Sequence, residues 1–216
     1  MGFVDMPDWD KRYAEAELSG AMFGRAPNNY LMQTAGRQDF DAASALCLAD
    51  GDGRNGRWLG ARGLKVTAVD LSAVGTKIAT RLDSEAGVSV ERIADDLASW
   101  EPAAHRRWDA AFMIYLHCER DVRRRAVELA ARHLTTGGWF VAEGFAAAQA
   151  GIDRDGPRMG PLGDDLRYSL DEFTNWLPEF EVAEALVGVV RLDEGARHQG
   201  LAPVVRWAGR KTRDVA

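Results

Sequence analysis

Two cysteines in 216 residues are too few for a disulfide framework. Cys47 sits inside an apolar run, where a small buried hydrophobe is the expected role, and neither it nor Cys118 has the companions of a zinc site. No apolar run approaches the roughly 18 residues of a membrane-spanning helix. The acidic start, MGFVDMPDWDKRYAEAEL, has no apolar signal core, and Met6 stands where a myristoylation signal needs Ser or Thr. Positive charge is also short: 27 Lys and Arg against 33 Asp and Glu leave a formal net charge of −6. That balance offers no general attraction to nucleic acid or to anionic membranes. Repeats and low-complexity tracts are missing too. What these absences leave is a soluble, cytoplasmic enzyme, a monomer or homodimer, folded as one domain long enough to bury a full core.

What is present begins near residue 45, where short apolar runs alternate with helical patterns, the sign of a parallel sheet built from βαβ units. SALCLA (44–49) reads as a fully apolar first strand, RNGRWLGARG as a helix stopped by Gly63, KVTAVD (65–70) as strand two, and AVGTKIATRLDSEAG as a helix ended by Gly87. VSVERIA is strand three, made edge-like by Glu91 and Arg92. WDAAFMIYL (108–116) is strand four, ERDVRRRAVELAARHL an amphipathic helix with its arginines on a solvated face, and WFVAEGF (139–145) strand five after a TTGG turn. Residues 146–168, rich in Gly, Pro and Asp, read as a mobile insertion. In SLDEFTNWL, Ser169 followed by Glu172 has the form of a capping box. The tail holds two strands about ten residues apart, so an antiparallel pair. Residues 1–44 precede the sheet, and their aromatic character (Trp9, Tyr13, Phe23, Tyr30) suggests a lid over it or, as the alternative, a helix docked permanently on the sheet; residues 45–216 form the main domain.

The stretch ALCLADGDGRNGRWLGARGLKVTAVDLS (45–72) carries G-x-G-x-x-G as Gly51, Gly53 and Gly56, followed by the strand-ending acid Asp70. As a pattern this is a dinucleotide fingerprint. Yet Asp50 and Asp52 flank the first glycine, where a pyrophosphate would sit. One carboxylate about 6 Å from a phosphate charge costs roughly 2–3 kcal/mol at an effective dielectric near 20. A ligand carrying an ammonium and a sulfonium, and no phosphate, reverses that sign. S-adenosylmethionine is such a ligand. Asp70 can accept both ribose hydroxyls. Asp96, with the Leu97 backbone N–H, can meet the adenine, Asp95 being its rival and a helix cap the bland alternative.

The same stretch resembles motif I of class I S-adenosylmethionine-dependent methyltransferases. WDKRY (9–13), FGRAPNNYL (23–31), ADDLASW (94–100), WDAAFMIYLHC (108–118), LTTGGWFVAEGF (134–145) and DEGARHQGLAPVVRWAGRK (193–211) extend the likeness to the tellurite-resistance and thiopurine S-methyltransferase group. That resemblance implies a Rossmann-like seven-stranded α/β sheet of order 3-2-1-4-5-7-6, strand seven antiparallel, with helices on both faces. It implies cofactor contacts at Trp9, Tyr13, Gly51, Asp52, Gly53, Asn55, Asp70, Leu71, Asp96, Leu97 and Met113. It departs from the pattern at Ala49, where many such enzymes carry an acid, and at Thr136, where the usual turn has proline.

For chemistry, His117 at the mouth of strand four titrates near neutrality and is a candidate base. Tyr115 and Glu143, the latter an acid in an apolar run, are the other catalytic candidates. Phe23, Tyr30, Arg197 and His198 are candidates for substrate contact, the last two with Gln199 in the loop between strands six and seven. Asp153 and Asp155 read as solvated charges, and no metal-ligand spacing is present. The expected activity is methyl transfer to a small-molecule acceptor, with a thiol or other soft nucleophile favoured by the resemblance. The alternatives are a nicotinamide-dependent oxidoreductase using GDGRNG, or a cofactor-binding protein without turnover.

Overall fold

The computed structural model describes residues 8–19, 21–147, 159–161, 163–195 and 197–213. Its helices are α1 (Trp9–Ser19), α2 (Asn29–Ala35), α3 (Arg54–Ala61), α4 (Ala73–Glu85), α5 (Arg120–His133) and α6 (Leu170–Trp176). Its strands are β1 (Ser44–Leu48), β2 (Lys65–Asp70), β3 (Val90–Ala94), β4 (Trp108–Ile114), β5 (Leu134–Phe145), β6 (Phe180–Asp193) and β7 (Gln199–Lys211). The strands form one sheet of order β3-β2-β1-β4-β5-β7-β6, in which β7 runs antiparallel to both β5 and β6. This is the expected Rossmann-like order. Ala45 to Leu48 are buried because β1 lies between parallel neighbours β2 and β4 under helices on both faces, which is why it reads as a continuous apolar run. Strand order reverses beside β1, so the carboxyl ends of β1, β2 and β4 open a crevice.

Aromatic packing holds both faces. On one, Trp108, Phe140, Phe173 and Trp207 pack with the apolar side of α5. On the other, Tyr30 and Leu31 of α2 pack against Trp139, Val141 and Ala208, so part of the N-terminal segment belongs to the core. The helix α1 is docked on α4: the Asp10 carboxylate accepts from Ser72 Oγ (2.6 Å) and from the Val74 N–H (3.1 Å), while Tyr13 and Met22 pack with Ile78 and Leu82. Ser72 also caps α4 by accepting from the Gly75 N–H.

Three local expectations are corrected. The strand β5 begins at Leu134, opposite Trp108, so the Thr-Thr-Gly-Gly stretch is its irregular start and not a separate turn. The capping box at Ser169 does not form. The Ser169 side chain makes no cap bond, the Glu172 N–H donating to the Ser169 carbonyl instead, and the Glu172 carboxylate is held by the guanidinium groups of Arg123 and Arg120. Arg123 itself leaves the solvated face of α5: it is fully buried and also donates to the carbonyls of Cys118 and Arg167. Asp153 and Asp155 lie outside the described residues. Among the described residues no helix is long and apolar enough to cross a membrane, and no group of His, Cys, Asp or Glu could hold a metal ion.

Candidate active site

At the carboxyl end of β1 the chain enters the left-handed region at Ala49 (φ 57°) and again at Gly51 (φ 56°) and Gly53 (φ 84°). The backbone thereby folds into a tight turn that ends as the N-terminus of α3. Gly51 has a second reason to lack a side chain, since a Cβ there would collide with the Tyr13 hydroxyl. The N-terminal helix α1 thus reaches the glycine turn through Tyr13. Its phenol is pushed well above its ordinary pKa by burial and by the carboxylates of Asp70, Asp52 and Asp50.

The two acids that flank Gly51 have different surroundings. Asp50 is buried, and its carboxylate accepts from the Gly56 N–H (3.1 and 3.2 Å) and from Arg92 Nη1 (2.5 Å). Arg92 is held in turn by Asp83. Asp50 therefore occupies the anion-binding end of α3, where a nucleotide phosphate would need those N–H groups. Its own charge is compensated by Arg92, and the acids left to act on a ligand are Asp52 and Asp70. Asp52 lines the crevice, and burial raises its pKa against the pull of Arg54. Asp70 accepts the Gly51 N–H at Oδ2 (2.7 Å) and the Ser72 N–H at Oδ1 (2.8 Å). Each oxygen keeps a lone pair for a further donor. Burial pushes this carboxyl up to about 6, opposed by those two backbone bonds.

The crevice is lined by Trp9, Tyr13, Gly51, Asp52, Asn55, Asp70, Leu71, Asp96 and Leu97 from the expected cofactor set, and by Phe23, Tyr115, His117 and His198 from the expected catalytic and substrate sets. Gly53 and Met113 lie outside this lining: Gly53 is the N-cap of α3 and Met113 is buried in the core under the crevice. Asp96 is exposed at the rim and accepts from the Ala98 N–H in a turn, no helix following it for the expected cap. Arg197 is exposed and does not line the crevice, and Tyr30 is buried under the Arg206 guanidinium, 4.8 Å from its ring centre.

His117 is engaged at both ring nitrogens. Its Nδ1 donates to the Leu166 carbonyl (2.8 Å), and its Nε2 accepts from the Phe145 N–H (3.3 Å). With burial holding its pKa down at about 3, the ring stands neutral with no lone pair free for a substrate proton. Glu143 is equally committed. It accepts from Arg206 Nε (2.6 Å) and Asn28 Nδ2 (2.6 Å), and its side chain is buried beneath the crevice wall. Tyr115 holds an uncommon φ of 57° at the carboxyl end of β4, and its N–H donates to the Glu143 carbonyl (2.7 Å).

Sequence reasoning missed the buried group that ties these parts together. Arg54, inside the glycine turn, donates to Glu194 (2.8 Å) and to the carbonyls of Phe23 and Ala26. Asn28 donates to Glu194 as well as Glu143, and its own N–H is accepted by Asn55. Gly195 permits the contact, because a Cβ there would strike the backbone of Phe23 and Gly24. The signal available was weak: an arginine between glycines, and an acid next to a glycine far along the chain.

Residues 45–138 match a family model described as methyltransferase domain. That stretch runs from β1 into β5 and includes the glycine turn and Asp70. In fold, the chain is similar to TehB from Haemophilus influenzae, with a TM-score of 0.70 at 14% identity, over 94% of this chain and 67% of that one. It is also similar to the structure titled as the conversion of a disulfide bond into a thioacetal group during echinomycin biosynthesis (TM-score 0.69, 18% identity, 94% and 90% covered). A third likeness is to the [4+2]-cyclase SpnF (TM-score 0.66, 17% identity, 97% and 94% covered). Among curated proteins no sequence matches significantly. The donor set fits the cofactor: an acid-lined crevice with free carboxylate lone pairs at Asp70 suits a cationic nucleoside bearing ribose hydroxyls, and Asp50 bars a diphosphate from α3.

Proposed function

We propose that this chain transfers a methyl group from S-adenosylmethionine to a small-molecule acceptor, and that its residues act by binding, orienting and excluding water. The observation that carries the reading is Asp70, fixed by two backbone N–H bonds with its remaining lone pairs directed to the crevice mouth of the glycine turn. Asp70 would hold the ribose hydroxyls. Asp96 and the Leu97 N–H would meet the adenine, with Leu71 and Met113 beside it. Gly51, Asp52, Gly53, Asn55, Trp9 and Tyr13 would surround the methionine part. When bound, the cofactor supplies an electrophilic methyl group on a sulfonium. The N-terminal segment 1–44, whose Trp9, Tyr13 and Phe23 line the crevice, would serve as the lid.

A thiol or other soft nucleophile suits a crevice whose histidine His117 has no free nitrogen, since such an acceptor needs little base catalysis at neutral pH. The likeness to TehB and to the echinomycin-pathway structure supports this reading by fold analogy. A harder, hydroxyl-bearing acceptor is favoured by a different observation, at His198, taken up below. The substrate is a small molecule and not a nucleic acid, given the net charge of −6 and the acidic crevice lining. The two free cysteines, Cys47 and Cys118, suit a reducing compartment such as the cytoplasm.

The test is to incubate the protein with S-adenosylmethionine and a panel of thiols, phenols and amines, and to measure S-adenosylhomocysteine release. Calorimetric titration with S-adenosylhomocysteine and with NAD runs in parallel. Binding of the first alone, with release driven by one acceptor type, is the expected result. Binding of NAD in its place defeats the reading. Tight binding of S-adenosylhomocysteine without release from any acceptor marks a chain that holds the cofactor and does not turn over.

A further inference from the structure

The wall of the crevice away from the glycine turn is built of rings and carries no free cation. His198 is 4% exposed, and its Nδ1 is buried with no hydrogen-bonding partner. Phe23, Tyr115 and Phe145 surround its ring at centroid distances of 4.9, 4.3 and 5.3 Å. Burial and the nearby Arg54 keep that ring uncharged. Arg54 is the one basic side chain lining the crevice among the described residues, and it is committed to Glu194 and two carbonyls. An anionic acceptor therefore finds carboxylates around it and no cation to receive it.

A flat, uncharged ring can pack against the Phe23 and His198 rings, which lie tilted by 43° to each other on this wall. A hydroxyl on that ring then satisfies Nδ1 in either neutral tautomer, because a hydroxyl both donates and accepts. A buried polar atom without a partner is unfavourable, so its satisfaction favours such a ligand over the bare ring. We propose that the wall formed by His198, Tyr115 and Phe23 is a binding site for a neutral aromatic molecule bearing a hydroxyl group, with His198 Nδ1 as the partner of that hydroxyl. This deepens the methyltransferase reading by naming the class of acceptor, and it rests on that reading for the word acceptor, though not for the site.

The experiment uses the full chain and three probes: 2-naphthol, naphthalene, and the anionic 6-hydroxy-2-naphthoate, titrated by fluorescence with and without S-adenosylhomocysteine. Expected is 2-naphthol binding at least tenfold tighter than either other probe. In His198→Leu the two uncharged probes bind alike, and in His198→Asn, which keeps a polar atom near the Nδ1 position, most of the naphthol preference returns. Unchanged S-adenosylhomocysteine affinity in both variants shows that the crevice is intact. Equal binding of naphthol and naphthalene by the wild-type chain overturns the proposal, as does a preference for the anion or a naphthol preference that survives His198→Leu. His198-dependent naphthol binding without S-adenosylhomocysteine binding leaves this site standing and removes the cofactor reading. The reverse pattern removes this site alone.

Discussion

At one end of the crevice Gly51, Asp52, Asn55 and Asp70 come from a single stretch of chain, and their geometry is set by backbone bonds within it. At the other end Phe23, Tyr115, His117 and His198 come from three distant segments, and their geometry is set by ring packing and by buried ion pairs. The first end is acidic with lone pairs to spare; the second is neutral and built of rings, with Tyr115 Oη and His198 Nδ1 buried without a partner. Local structure thus builds an electrostatic site, whereas tertiary structure builds a dry, shaped one. Arg54 joins them, standing in the glycine turn yet bonded to Glu194 and to the carbonyls of Phe23 and Ala26.

Removing that joint gives the largest expected effect. Arg54 and Glu194 are both buried, so Arg54→Met strands a carboxylate without its ion-pair partner. A loss of about 3–5 kcal/mol in urea-unfolding stability is expected. The double variant Arg54→Met with Glu194→Gln recovers part of it, because the uncompensated charge is gone. A loss below about 1 kcal/mol in the single variant would mean that the two ends are held together by something else.

Asp70→Ala acts on the first end alone. Two hydrogen bonds from ribose hydroxyls to an ionised carboxylate are worth about 3 kcal/mol together, so S-adenosylhomocysteine affinity falls roughly 100-fold or more by calorimetry. Near-ultraviolet circular dichroism stays unchanged, because both donors to Asp70 lie at the crevice mouth and no packed side chain depends on it. Unchanged affinity would remove Asp70 from the site.

The same carboxyl gives a pH signature that the neutral end lacks. Its folded pKa of about 6 stands above the ordinary 3.8. The fold therefore gains stability as pH drops through 6 toward that ordinary value, while the form that accepts ribose hydroxyls is lost over the same range. Cofactor affinity is expected to fall about tenfold per pH unit below 6, opposite in sign to the stability change. Asp70→Asn flattens the dependence. A wild-type affinity constant from pH 5 to 8 would show that the carboxyl does not take part.

The contrast also explains what could be read from the sequence. The succession of strands and helices, the glycine turn and the strand-ending Asp70 are encoded by neighbouring residues, through apolar runs, glycine conformation and the alternation of strands with helices, whereas the order of the strands in the sheet came from the family resemblance. The pairing of Asp50 with Arg92 was not legible, since Arg92 in a strand with Glu91 looks like an edge charge until β3 is seen to pack against α3 and α4. His117 looked like a free base because its partners, the Leu166 carbonyl and the Phe145 N–H, are backbone atoms that no side-chain pattern announces. Glu143 looked like a catalytic acid for a sound reason, the cost of a lone buried carboxylate, but Arg206 on β7 and Asn28 before α2 meet that cost.

The smallest effect separates a signal from its realisation. Ser72 and Ser169 each stand one residue before a helix, Ser72 on the glycine-turn side and Ser169 behind the ring wall. The Ser72 hydroxyl accepts from the Gly75 N–H and donates to Asp10, fixing α1 over the glycine turn. The Ser169 hydroxyl makes no cap bond, the Glu172 N–H going to the Ser169 carbonyl, and the Glu172 carboxylate answers to Arg123 instead of reaching back. Ser72→Ala should cost about 1 kcal/mol, typical of a working cap, and weaken cofactor binding as α1 loosens. Ser169→Ala should cost less than about 0.5 kcal/mol, as for a surface change away from any cap. Thermal unfolding of the two variants side by side decides it: equal losses would restore the capping box at Ser169, and with it the view that short-range pattern governs both ends of the crevice.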